Sequence, residues 1–270
     1  MFLLIKSLLS VLWPLILIGA VLVWDEKTRA VFKREFFSYF NSPVAYVILV
    51  IFLLAAQGFA FFFGGFLEGD DAALSRPFFM WHPWIYMVLA PAVGMRLWSE
   101  EQRLGTMELL MTMPISPWQS ILGKYFAAAT VWFIALFLTF PIVLTVFWLG
   151  EPDPGPILTA YTASYLYAIG CLAVTCAVSA FTRSQVICFI ISVAICLVLT
   201  LFGMQQIIAA VVKAFPSFEG LVHAIAYMCF LTHFYDMSKG LLVLKDILYF
   251  VSVISVSLLV TSYALQSRRA

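Results

Sequence analysis

The feature that most constrains this chain is the length of its uncharged apolar runs. Residues 44–66, 157–181, 186–212 and 247–265 contain no Asp, Glu, Lys or Arg at all. A run of about 20 such residues, rising about 1.5 Å per residue as a helix, matches a hydrocarbon core about 30 Å thick. Backbone polar groups inside lipid must be satisfied internally, which leaves helices as the form for runs of this kind. Composition agrees: the chain is 64% apolar and only 11% charged, with a mean hydropathy of +1.03, against roughly 45–50% apolar in a soluble domain. The expected fold class is an all-α polytopic membrane protein.

Six spans are expected, at about 44–66, 81–98, 121–149, 157–181, 186–212 and 247–265. Pro91 should kink the second span, and Pro141 should bend the third. Tryptophans at both ends of the second (Trp81, Trp98) suit interfacial anchoring. The fourth carries Gly170, Ala173, Ala177 and Ala180 on roughly one face, which permits close helix approach. Residues 213–245 hold an apolar core, 221–231, too short to cross, and read as a re-entrant or surface helix. There His223, His233 and Asp236 are expected on a polar outer surface, and Asp246 is expected to cap the sixth span. Residues 1–27 form a separate apolar extension. Its stretch 7–24 reads as a signal, an added span or an over-extended start; no A-x-A cleavage site is present, and Lys27, Arg29, Lys33 and Arg34 follow directly.

Residues 28–40 read as an amphipathic interfacial helix. Phe32, Phe36, Tyr39 and Phe40 recur at helical spacing on one side, with Arg34 and Ser38 on the other. Ser42-Pro43 then supplies a cap and a first-position proline for the first span. The most polar interval between two spans is 96–124. It holds Glu100, Glu101, Glu108, Arg96 and Arg103. Gly105 can end the helical extension of the second span, Thr106 can cap a short helix over 107–113, and Pro114 stops it. Ser116-Pro117-Trp118-Gln119 is a capping box that starts another helix. A helix of six or seven residues is too short to be stable alone, so it must pack on something. From periodicity alone, an ordinary hairpin with a few solvated charges fits equally well.

The charge bias orients this map. Lys27, Arg29, Lys33, Arg34, Arg96, Arg103, Lys124, Arg183, Arg268 and Arg269 gather on one side, and Arg76, Lys213, Lys239 and Lys245 on the other. The richer side is expected to be cytoplasmic, with the C-terminus there too. Net charge is only +1 without a basic block, which gives no support for nucleic-acid binding. The five cysteines lie in apolar runs without CxxC spacing, as buried reduced thiols do. The spans hold no charged group at mid-depth, which argues against ion-coupled transport. HExxH, GxSxG and a Walker A loop are all missing from the sequence, so energy for any work must come from a partner.

The motif Glu100-Glu101-x-x-x-Gly105-Thr106-Met107-Glu108-Leu109-Leu110, followed by Pro114-Ile115-Ser116 and Leu122-Gly123-Lys124, resembles the signature of type-2 ABC-transporter permeases. Three further stretches resemble the gliding-motility-associated branch: Phe32 to Pro43, Thr182-Arg183-x-Gln185, and His233-Phe234 through Lys239-Gly240 to Asp246. Lys239 stands where that branch is expected to have arginine, and residues 1–24 have no counterpart. The resemblance implies a six-span permease domain over 28–270, with an N-terminal connecting helix (Phe32, Lys33, Arg34, Glu35, Phe36) and a cytoplasmic coupling helix between spans two and three. It implies ATPase coupling through Glu100, Glu101, Arg103, Gly105, Thr106, Glu108, Leu109 and Leu110, with Glu101, Arg103 and Glu108 pairing with the ATP-binding subunit or the connecting helix. It further implies a second permease copy or a related permease, no cofactor of its own because ATP sits on the partner, no catalysis in this chain, export as the direction, and residence in a bacterial inner membrane. A non-transporting scaffold that recruits soluble partners through the same arm is the alternative.

Overall fold

The computed structural model describes residues 19, 25–66, 74, 77–107, 114–214, 216, 219–240 and 242–267. The expectations for residues 1–18 and 20–24, and for most of the short helix over 107–113, lie outside the described residues. Among those described there are twelve α-helices and no strand. They are α1 (Glu26–Asn41), α2 (Pro43–Phe62), α3 (His82–Gly94), α4 (Arg96–Leu104), α5 (Pro117–Phe137), α6 (Phe140–Leu149), α7 (Pro154–Phe181), α8 (Gln185–Leu201), α9 (Gln205–Ala214), α10 (Glu219–Tyr227), α11 (Phe230–Ser238) and α12 (Leu244–Gln266).

Among the described residues, four helical stretches are long and apolar enough to cross a membrane: α2, α5 with α6, α7 and α12. A fifth exists if α8 and α9 count together, although they are bent by 77°. The expected span over 186–212 is therefore broken. The break falls at Phe202–Met204, where Gly203 nests against the chain between α10 and α11: a Cβ there would stand 3.0 Å from Leu231 Cβ and 3.1 Å from Cys229 Cβ. The expected span over 81–98 is divided too. Helix α3 contains Pro91 and is interrupted at Met95, after which α4 runs on as a charged helix. The third span is interrupted just before Pro141, with α5 ending at Phe137 and α6 restarting with Pro141 in its first turn.

Helix α7 is the axis of the bundle. Of its most apolar window, 72% is buried, against 28–50% for the other three stretches. Its small residues explain this. Gly170 faces the Phe250 and Phe230 rings, where a Cβ would sit 3.3 Å from Phe250 Cδ1, and Ala173 and Ala180 are fully buried. From the other side, Gly94 of α3 presses against Thr175, where a Cβ would lie 2.8 Å from Thr175 Cγ2, so α3 cannot carry a side chain there without a shift. The outward faces of α2, α8 and α12 are apolar and exposed, as lipid-facing helices are.

Two local readings are corrected. Ser42 holds the N-cap position of α2 with Pro43 following, but its hydroxyl donates back to the Tyr39 carbonyl at 3.2 Å instead of capping. Asp246 does not cap α12. Val243 holds the N-cap position without a capping side chain, and Asp246 lies in the first turn, fully buried, where it meets the buried His233. His233 is thus part of the interior and not of a polar surface. The apolar helix expected over 221–231 is indeed too short to cross, and is split into α10 and α11 at Met228 and Cys229. All five cysteines are buried free thiols.

Candidate functional site

The site begins with how α1 lies on α5. Asp25 caps α1, its carboxylate accepting from the Thr28 amide at 3.2 Å and hydroxyl at 2.8 Å. That hydroxyl bond holds the Asp25 carboxyl below its ordinary range. Helix α5 opens with Ser116 and Gln119 capping each other reciprocally, as the motif predicts. The two helices touch at Gly123, where a Cβ would lie 2.8 Å from Val31 Cγ1 and 3.1 Å from the Thr28 carbonyl oxygen. Glycine is what allows this contact. Beside it, Phe32 packs on Ala127, with Phe36 stacked on Phe32 at 5.8 Å.

That approach brings Lys124, the next residue, into a closed position between α1, α4 and α5. Its side chain is only 3% exposed. Its ammonium donates to the Leu97 carbonyl at 3.0 Å, and lies 2.9 Å from Glu101 Oε1 and 3.3 Å from Glu35 Oε1. The Trp98 ring lies beneath it at 5.1 Å. Arg34 closes the set, with Nη2 2.7 Å from Glu35 Oε1 and 3.4 Å from Glu101 Oε1. Two cations and two carboxylates balance, which is the condition for burying such groups at tolerable cost. Burial pushes the Glu35 carboxyl up, but Lys124 and Arg34 outweigh it and hold the group below its usual 4.5.

A second tier surrounds this cluster. Arg96 pairs with Glu100 at 3.2 Å, reaches the Ser42 hydroxyl at 3.4 Å, and lies over the Tyr39 ring at 5.4 Å. Tyr39 in turn donates to the Val93 carbonyl at 3.3 Å. Gln102 Nε2 donates to the Ala180 and Ser179 carbonyls at 2.8 and 3.3 Å, tying α4 to the C-terminal end of α7. Lys27 donates to the Pro114 carbonyl at 2.6 Å, so α1 also grips the far end of the arm. Between α1 and α4 there is a cavity of about 380 Å³ lined by residues including Arg34, Glu35, Arg96, Glu100 and Glu101.

Of the residues singled out in the sequence, Arg34, Glu35 and Glu101 meet in the inner cluster and Glu100 joins the second tier. Phe32 and Phe36 form the apolar contact of α1, whereas Lys33 is exposed. Gly105 ends α4 in the left-handed conformation, φ 70°, and the Thr106 amide donates to the Glu101 carbonyl at 3.1 Å. Arg103 and Thr106 are exposed. Glu108, Leu109 and Leu110 lie outside the described residues. The part of Lys124 was missed: the sequence places it only in a motif and on a charge map. A single lysine two turns into an otherwise apolar helix is itself a signal, because such a group requires carboxylate partners. Gln102 gave no signal in the sequence at all.

Among the described residues, no three His, Cys, Asp or Glu side chains gather as a metal site would. Helix α1, the charged α4 and the foot of the membrane-crossing α5 are fastened at one ammonium. No curated protein matches the chain. The family model described as ABC-2 family transporter protein aligns with residues 55–269, most of the chain and nearly all of its membrane-crossing part. With apolar helices of crossing length and a charged arm between them, the chain belongs to the ABC-2 transporter family, as a multi-pass membrane permease component.

Proposed function

We propose that this chain is the permease subunit of an ATP-driven exporter, moved by a separate ATP-binding subunit that docks on the arm formed by residues 100–116. In this reading six segments cross a bacterial inner membrane: α2, α3 with the start of α4, α5 with α6, α7, the bent pair α8 and α9, and α12. The arm, α1 and the C-terminus face the cytoplasm, and a second permease copy or a related permease completes the translocation path. The gliding-motility-associated branch is the proposed subgroup, on the sequence motifs given above.

The observation that carries the proposal is the cluster at Lys124. The arm reaches the bundle through α4, whose Glu101 is held to the α5 ammonium and to Arg34 of α1. A partner that pushes on the 107–113 segment displaces α4, and the ion pairs pass the movement to the connecting helix and to the third span together. The Gln102 bonds carry it to α7. Glu108, Leu109 and Leu110 would supply the docking contact, and Arg103 an ion pair to the partner.

The test is co-expression with the products of the neighbouring genes that carry ATP-binding motifs, followed by co-purification and reconstitution. Wild type should bind the ATPase and stimulate hydrolysis. Gly105→Pro and Glu108→Lys should insert normally and uncouple it. Failure to associate with any neighbouring ATPase overturns the proposal. Single cysteines in α3 and α8 that label equally with and without nucleotide would favour a scaffold over a transporter.

A further inference from the structure

At the end of the bundle opposite the Lys124 cluster, a second buried pair has no part in the function proposed above. His233 of α11 and Asp246 of α12 are 6% and 0% exposed, with Nδ1 and Oδ1 2.7 Å apart. The other imidazole nitrogen, Nε2, lies 2.8 Å from the Tyr227 carbonyl at the end of α10. A carbonyl oxygen only accepts, so Nε2 must carry a hydrogen. If the imidazole is neutral, Nδ1 is then a lone pair facing a carboxyl oxygen at 2.7 Å. That contact is attractive only with a proton between the two atoms, as imidazolium and carboxylate or as imidazole and carboxylic acid. In both forms the pair holds one titratable proton and has no net charge.

The imidazole sits at the seam that keeps the short outer helices in place. Its ring stacks on Tyr249 of α12 at 3.9 Å, and the Tyr249 hydroxyl donates to the Met228 carbonyl at 2.5 Å. The carbonyls of the two residues preceding Cys229 are therefore held by His233 and by its stacking partner. Cys229 itself is buried against the Gly203 break between α8 and α9, and the Thr232 hydroxyl spans the turn to the Ala226 carbonyl at 2.9 Å. The other titratable groups facing the pair are few. Tyr227 presents its ring edge at 6.2 Å, with Lys245 over its outer side at 5.8 Å. Lys245 and Lys239 are occupied by Asp236. From α7, Tyr167 reaches α11 only through the Phe230 and Phe234 rings. Among these described groups, none offers the pair a substitute proton by direct contact.

We propose that His233 and Asp246 form a one-proton site that latches α10 and α11 onto α12, and that loss of this proton releases the seam around Cys229. Deprotonation sets the Nδ1 lone pair against an ionised carboxylate, and the contact becomes repulsive. One proton leaves per opening, so the ratio of open to closed molecules rises with pH, by at most about tenfold per unit, where the closed pair holds the proton and the open one has lost it. The site gives the face opposite the ATPase arm a sensitivity to pH. It stands whether or not the chain works with an ATPase.

The native Cys229 reports on the latch. Full-length protein in lipid nanodiscs, with both faces open to buffer, is labelled with a hydrophilic maleimide from pH 6 to pH 10, and modification at Cys229 is read by peptide mass spectrometry. The comparison is Asp246→Asn. Its amide N–H donates to the neutral Nδ1 while Nε2–H still donates to Tyr227, so this latch needs no exchangeable proton. Dividing the wild-type rate by the Asp246→Asn rate cancels the ionisation of the thiol. The ratio should rise with pH. His233→Ala should label fast at every pH. A flat ratio, or an Asp246→Asn profile that climbs as the wild type's proposed opening does, overturns the proposal.

Discussion

Lys124→Met is the most informative single substitution in the Lys124 cluster. Methionine matches the length of the lysine stem and keeps the contact with Trp98, so the change isolates the charge. The ammonium has three acceptors at 2.9, 3.0 and 3.3 Å and is 3% exposed. Removing one member of a buried ion pair costs about 3–5 kcal/mol, because the partner is left charged and desolvated. Two features bring the figure to the low end. Glu35 and Glu101 are 17% and 16% exposed, and Arg34 still contacts both. We therefore expect a loss of about 3 kcal/mol, which for a chain of this size lowers the melting temperature by about 6–12 °C. The assay is thermal unfolding in detergent, followed by tryptophan fluorescence. Lys27→Met, at an exposed lysine bonded to a backbone carbonyl, is the control. Adding Glu101→Gln to Lys124→Met should restore roughly 1–2 kcal/mol, because Arg34 then faces a single carboxylate. If Lys124→Met melts like the Lys27→Met control, the buried ion cluster is not what holds α1, α4 and α5 together.

Other outcomes follow from the same geometry. Gly123→Ala should destabilise by about 1–3 kcal/mol through overlap with Val31 and the Thr28 carbonyl, and Val31→Ala in the same chain should recover little of the loss in the same melting assay, because Val31 Cβ itself would lie 2.9 Å from the new methyl. Glu35 has a depressed carboxyl, so its contribution is present above the usual 4.5 and lost as pH falls through the lower folded value. The melting temperatures of wild type and Glu35→Gln should accordingly differ at neutral pH and converge at strongly acidic pH. Gly105→Ala should cost about 1–2 kcal/mol, since φ is 70° where α4 ends. Gln102→Leu removes the donor that serves the Ala180 and Ser179 carbonyls, and should cost about 1–3 kcal/mol, read as a lower melting temperature.

The amino-acid sequence alone determined the helical class, the membrane as solvent, and most element ends. Uncharged runs of span length, the Ser116 capping box, the break at Gly105 and the interruption before Pro141 are local properties, set by solvation and backbone geometry within a few residues. The same is true of the amphipathic α1, whose aromatic spacing is legible without knowing what it packs on. Tertiary structure decided everything that depends on residues far apart in sequence. Lys124 finds Glu35 and Glu101, 89 and 23 positions away, only because Gly123 lets α1 settle on α5. Asp246 looks like a cap by position, but packing buries it against His233. The bend between α8 and α9 likewise comes from the close seat of Gly203 on the α10–α11 turn, and a run of apolar residues carries no record of that neighbour. Charge and polarity at a single position are local. Whether a charge is solvated or paired is a property of the packed bundle, because burial is what makes its partner obligatory.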